Sequence, residues 1–121
     1  MELSFAAPTL QGGDPSKCRV ILPCRAKKYD AADLRRFGHK IVMATNRHAV
    51  YPDDPAPASI VEDCYNELQV IGFDPARDYI ALAGDGLLNA ILCMVLGRYY
   101  QNVVFLRFDG QAGSYWPLMV Q

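Results

Sequence analysis

Gly84-Asp85-Gly86 carries the densest chemical signal in the chain. It follows the apolar run Tyr79-Ile80-Ala81-Leu82-Ala83 and precedes the strongly apolar stretch from Leu87 to Leu96. That order reads as a short buried strand, a tight glycine turn and a helix. Such a turn aims several backbone N–H groups at one point above the helix's positive end, which suits an anion. Asn89, on the first turn of the helix, adds a side-chain amide. Asp85 complicates the picture. Its carboxylate repels a phosphate unless it binds a sugar hydroxyl, a divalent cation or a helix-capping N–H instead.

Cationic partners stand where a parallel sheet would deliver them. In open parallel sheets, sites gather at the carboxyl ends of the strands. Arg25, Lys27 and Lys28 follow one apolar run, and Arg47 and His48 follow another. If the strands are parallel neighbours, these groups share a rim with the glycine turn. Arg and Lys would then supply Coulomb attraction, and the turn would supply directional N–H donors. The candidate ligand-binding set is therefore Gly84, Asp85, Gly86, Asn89, Arg25, Lys27, Lys28, Arg47 and His48. Each also has a purely structural reading: Asp85 as a helix cap, Asn89 as a cap or solvent-facing amide, and the cations and His48 as solvated loop groups. No Ser/His/Asp set, carboxylate pair or metal cluster stands out, so no catalytic residue and no cofactor is assigned.

The elements that must position these residues are legible in order. Cys18–Pro23 reads as a first buried strand, nearly continuous in apolar character. Asp30 can cap a short helix through Asp33, Leu34 and Phe37, with Gly38 as its stop. Lys40–Thr45 is the second strand, and a proline-rich loop, Asn46–Ala58, follows it. Ser59 and Glu62 have the spacing of a capping box, which opens a helix running to Ile71. Tyr79–Ala83 is the third strand and Leu87–Arg98 the next helix; Val103–Phe108 and Ser114–Val120 form a hairpin about Asp109–Gly113. Pro117 makes the last strand an edge. The expected fold is a single small α/β domain, residues 18–121, preceded by an N-terminal arm, residues 1–17. Its sheet is mostly parallel and open, with four strands, an antiparallel C-terminal edge strand and helices on the faces.

Composition narrows the partners. The 121 residues are 51% hydrophobic and 21% charged, which is globular, and a net charge of −1 attracts neither nucleic acid nor acidic lipid to the chain as a whole. Met1-Glu2-Leu3-Ser4-Phe5 has no basic segment and no sustained apolar run, so no signal peptide is expected. No apolar stretch reaches the roughly 18 residues a membrane span needs. Cys18, Cys24, Cys64 and Cys93 form no CxxC pair and read as free thiols in a reducing cytosol. The helix from Leu87 has almost no polar face, so it must be buried on most sides. Either the arm or a second subunit covers it, and a homo-oligomer is expected.

Two resemblances rest on particular residues. Ala81-Leu82-Ala83-Gly84-Asp85-Gly86-Leu87-Leu88-Asn89 resembles the GGDGTLNE segment of the NAD kinase and diacylglycerol kinase family. That resemblance implies nucleotide phosphates at Gly84, Asp85, Gly86 and Asn89. Ala83 stands at the family's first glycine and Leu87 at its threonine. The wider pattern is FDPxxDY, a strand, a small-residue turn, an LLNA helix, LGR, a strand ending in Asp and an aromatic hairpin. It resembles short α/β proteins encoded by tailed phages, which implies a place in the host cytoplasm.

Three functions fit these features. The one needing fewest coincidences is a non-enzymatic interaction or assembly protein, phage-encoded as the wider resemblance implies. It would act as an oligomer or with a host protein, through the apolar helix, the arm or the Tyr115-Trp116 edge. The second is a protein that binds or sequesters a nucleotide or other phosphorylated small molecule at the basic rim. The third is a small metal-dependent phosphate-ester enzyme using Asp85 and His48.

Overall fold

The short β-branched runs become strands close to where their sequence places them, and they pair in parallel because each returns through a helix. The structure, a computed structural model, describes residues 5–6, 18–54 and 57–120. Its elements are β1 (Phe5–Ala6), β2 (Arg19–Leu22), α1 (Ala31–Leu34), β3 (Lys40–Met43), α2 (Pro57–Val70), β4 (Tyr79–Ala81), α3 (Gly86–Tyr99), β5 (Val103–Asp109) and β6 (Ser114–Val120). They build one sheet in the order β1-β6-β5-β4-β2-β3. β3, β2, β4 and β5 are parallel neighbours, and β6 returns antiparallel along β5. The expected α/β class and mixed sheet are therefore present. Apart from Phe5–Ala6, the expected arm lies outside the described residues. No helix among the described residues is long and apolar enough to cross a membrane.

Strand alternation divides the core into two layers. Ile21 and Ile80 face α2 and α3, where Ile60, Cys64, Leu68, Leu88, Leu92 and Val95 are buried. Val20, Leu22, Tyr79, Ala81, Val104 and Leu106 face the other way, toward Leu34 of α1 and Tyr115. Each fully buried Leu or Ile contributes on the order of 2 kcal/mol. The two layers are unequal, since one face carries two helices of 14 residues and the other a helix of four.

So short a helix has little stability of its own, and side chains fix it. Asp30 caps it by accepting from the Asp33 N–H at 3.0 Å. The Asp33 carboxylate accepts from Arg36 Nε at 2.7 Å and from the Tyr115 N–H at 2.6 Å, while Arg36 donates to the Tyr115 carbonyl at 3.1 Å. The guanidinium, and then the Tyr115 N–H, hold Asp33 below the usual carboxylate range. This clamp satisfies the outer edge of β6 at Tyr115. Pro117 has no N–H to offer, and β1 registers with Met119 and Val120. The edge position expected from Pro117 thus holds over Ser114–Leu118, with β1 lying beyond the strand's last two residues.

At the amino ends of the strands, the FDPxxDY pattern is a staple. Asp74 accepts from the Ala76 N–H at 2.9 Å and its own N–H donates to Asp78 at 2.9 Å. Arg19 of β2 pairs with the buried Asp78 at 2.7 Å and donates to the Ile71 and Gly72 carbonyls at the end of α2.

Candidate functional site

Strand order decides whether the basic rim exists at all. β2 and β4 are adjacent, with β3 and β5 on their outer sides, so the winding reverses between them and their carboxyl ends open at the switch point. The three rim loops lie side by side. The Arg25 N–H donates to the Arg47 carbonyl at 2.8 Å, and His48 Nδ1 lies 3.1 Å from the Arg25 carbonyl. Thr45 donates to the Pro23 carbonyl at 3.2 Å. Gly84 rests on the first loop so closely that a Cβ there would lie 2.8 Å from Cys24 Sγ. The Cys24 thiol is buried, which raises its pKa.

Within that rim the two polar side chains of the glycine turn are engaged by the turn itself. Asp85 is the N-cap of α3, its carboxylate accepting from the Leu87 and Leu88 N–H groups at 3.1 and 3.0 Å. Asn89 donates to the Ala83 and Asp85 carbonyls at 3.1 and 2.8 Å and accepts from the Ala83 N–H at 3.1 Å. Arg47 pairs with Asp54 at 3.1 Å. The Tyr51 N–H, with Arg47, holds that carboxylate below its usual range. Arg25, Lys27 and Lys28 are exposed and have no ion-pair partner among the described residues. Among those residues, no three of His, Cys, Asp or Glu converge as metal ligands.

A second feature lies on the helical face. α2 and α3 pack together, leaving between them a groove of about 220 Å³ lined by Val61, Glu62, Tyr65, Met94, Arg98 and Tyr99 among others. Tyr65 and Tyr99 form its aromatic end, with ring centroids 4.2 Å apart. The groove continues onto an apolar stripe of α3 at helical spacing. Leu87 is 53% exposed and Met94 65%, with the exposed Ala90 and Gly97 on the same stripe. The opposite face of α3, Leu88, Ile91, Leu92, Val95 and Leu96, is buried. The all-apolar helix is thus half covered by its own domain. The Tyr115-Trp116 pair divides between the two sheet faces. Tyr115 is buried against Phe108, with centroids 5.1 Å apart, and Trp116 is 40% exposed on the other side.

The groove residues were not legible as a set because Glu62 reads as half of a capping box. The helix starts at Pro57, so Ser59 is its third residue and Glu62 projects into the groove instead. Pro57 itself was the signal, since proline favours the first helical position.

These features define a small α/β protein with a side-chain-capped turn at its switch point and a partly exposed apolar stripe on α3. Residues 22–121 match the phage Pam3 gp32-like protein family, and the chain belongs to that family. No curated protein and no solved structure matches it. The match agrees with the phage resemblance of the wider pattern, whereas the local likeness to the NAD kinase and diacylglycerol kinase family finds no support.

Proposed function

We propose that this chain is a non-enzymatic interaction and assembly protein, encoded by a phage and working in the host cytoplasm, whose α2–α3 face packs against another protein chain. The exposed stripe Leu87-Ala90-Met94-Gly97 beside the groove carries this reading. Contiguous apolar surface of this kind marks interaction sites more often than isolated exposed side chains do. The test is native mass spectrometry of the tagged chain drawn from cells infected by the phage that encodes it, wild type against Met94→Glu. Met94 is 65% exposed, so the substitution should change stability by less than about 0.5 kcal/mol. The expected result is a complex for the wild type and a single-chain mass for the variant. A single chain in both, or a complex that survives Met94→Glu, overturns the reading.

One observation favours a second reading, in which the rim holds a phosphorylated small molecule. The three rim loops are adjacent, and Arg25, Lys27 and Lys28 have no carboxylate partner among the described residues. Asp85 occupies the Leu87 and Leu88 N–H groups at the start of α3, so the cations would carry most of the binding. Adenosine triphosphate at low ionic strength should then raise the melting temperature of the wild type and not that of a Lys27→Ala/Lys28→Ala variant. Equal shifts, or none, exclude it.

A further inference from the structure

We infer that the occupant of the α2–α3 groove is a second copy of this chain, seated about a two-fold axis that sets Glu62 of each copy against Arg98 of the other. This rests on the reading of the helical face as an interface and adds the partner and the register. Glu62 and Arg98 flank one groove, from α2 and α3 respectively, and both are exposed. The ion pairs among the described residues are Arg19–Asp78, Arg36–Asp33, Arg47–Asp54 and Arg77–Asp74. Neither groove charge belongs to any of them, although the two have opposite sign and share a small groove. Arg98 instead lies over the Tyr99 ring, 5.6 Å from its centroid.

A two-fold interface must be complementary to itself, because the same patch appears on both sides. A patch with one acid and one base about an apolar centre meets that condition. An axis passing between Glu62 and Arg98 brings each to its opposite twice per dimer. The apolar centre, Val61 with the exposed Met94, supplies the area removed from water. On the adjoining stripe Ala90 and Gly97 leave room for close helix approach, since interaxial distance follows side-chain size at the contact. A different partner would need the same two charges in the reversed arrangement, and a second copy already carries them. Charges of this kind set register and exclude wrong pairings more than they add affinity.

The test is sedimentation velocity of the purified full chain over a concentration series at low salt, with Glu62→Arg, Arg98→Glu and the double variant. Both side chains are exposed, and thermal melts of each variant check that the fold is kept. The wild type is expected to dimerise. Each single reversal should weaken the dimer about tenfold or more by setting like charges face to face twice. The double variant should recover most of the affinity. Most diagnostic, the two single variants, weak alone, should associate when mixed, because each then meets its opposite. A wild-type dimer indifferent to both reversals, or single variants that neither the double variant nor mixing rescues, overturns the pairing. A purified wild type that stays monomeric, while Met94→Glu still removes a complex in infected cells, overturns the second copy and leaves the interface reading standing. A dimer unaffected by Met94→Glu as well as by the reversals defeats both.

Discussion

The Gly84–Gly86 turn and the α2–α3 groove differ in where their polar groups point. In the turn, Asp85 and Asn89 face inward and bond the backbone around them at 2.8 to 3.1 Å. At the groove, Glu62 and Arg98 face outward from apolar surroundings and have no ionic partner among the described residues. The turn has the residue types of a ligand site and the bonding of a structural joint. The groove has residue types that draw no attention in a sequence, yet its two charges are unpaired among the described residues and part of its apolar lining is exposed. A side chain already bonded within the fold has less to offer a partner than an exposed, unpaired one, so motif likeness alone does not mark a site.

The largest expected effect separates the two glycines of the turn. Gly84 has φ +80° and packs on Cys24 and Ala26, whereas a Cβ on Gly86 would meet nothing within 4 Å. Gly84→Val adds left-handed strain and a collision with the buried Cys24, and it should cost about 3 kcal/mol or more in denaturant unfolding. Gly86→Ala should change stability by less than about 0.5 kcal/mol, since alanine suits the first helical position. If the turn existed to bring backbone against a ligand, the second glycine would matter as much to binding as the first does to folding. A large stability loss in Gly86→Ala would break the comparison, because it would show a packing demand at Gly86 that the structure does not contain.

How much of this was legible depended on whether the signal was local. The runs around Val20, Ile41, Ile80 and Val104 specify their own strands, and Asp30 caps α1, because burial and capping act over a few residues. The helix ends at Leu34 with Arg35 as its C-cap, short of the expected stop at Gly38, whose packing against the Arg19 backbone accounts for the glycine instead. Strand order is not local. The adjacency of β2 and β4, on which the whole basic rim depends, follows from which side of β2 each crossover takes. The Asp33–Arg36 clamp on Tyr115 spans 82 residues of sequence and looks there like an ordinary helix pair. The rim candidates were found as residues, and the structure brings Arg25, Arg47, His48 and Gly84 together. Their bonding state was hidden, since a cap and an anion seat call for the same carboxylate-or-ligand position at a helix start. Glu62 was hidden by a competing local pattern that Pro57 displaces.

A smaller effect tests the same comparison from the other side. Asp85 satisfies two N–H groups at the start of α3, and an N-cap of this kind is worth about 1 kcal/mol. Asp85→Ala should cost about that much, because water can replace the carboxylate at the exposed Leu87 N–H, while the partly buried Leu88 N–H carries most of the loss. The substitution also vacates the one anion already seated at the turn. Inorganic phosphate should therefore stabilise Asp85→Ala more than it stabilises the wild type, read as the rise in melting temperature at equal ionic strength. Both proteins carry the same rim cations, so a difference between them reports the Asp85 carboxylate, through the N–H groups it frees and the charge it removes. If Asp85→Ala keeps wild-type stability, the carboxylate is not the cap its geometry describes. If phosphate stabilises the wild type more, Asp85 assists an anion rather than replacing one, and the turn, not the groove, becomes the place to look for a partner.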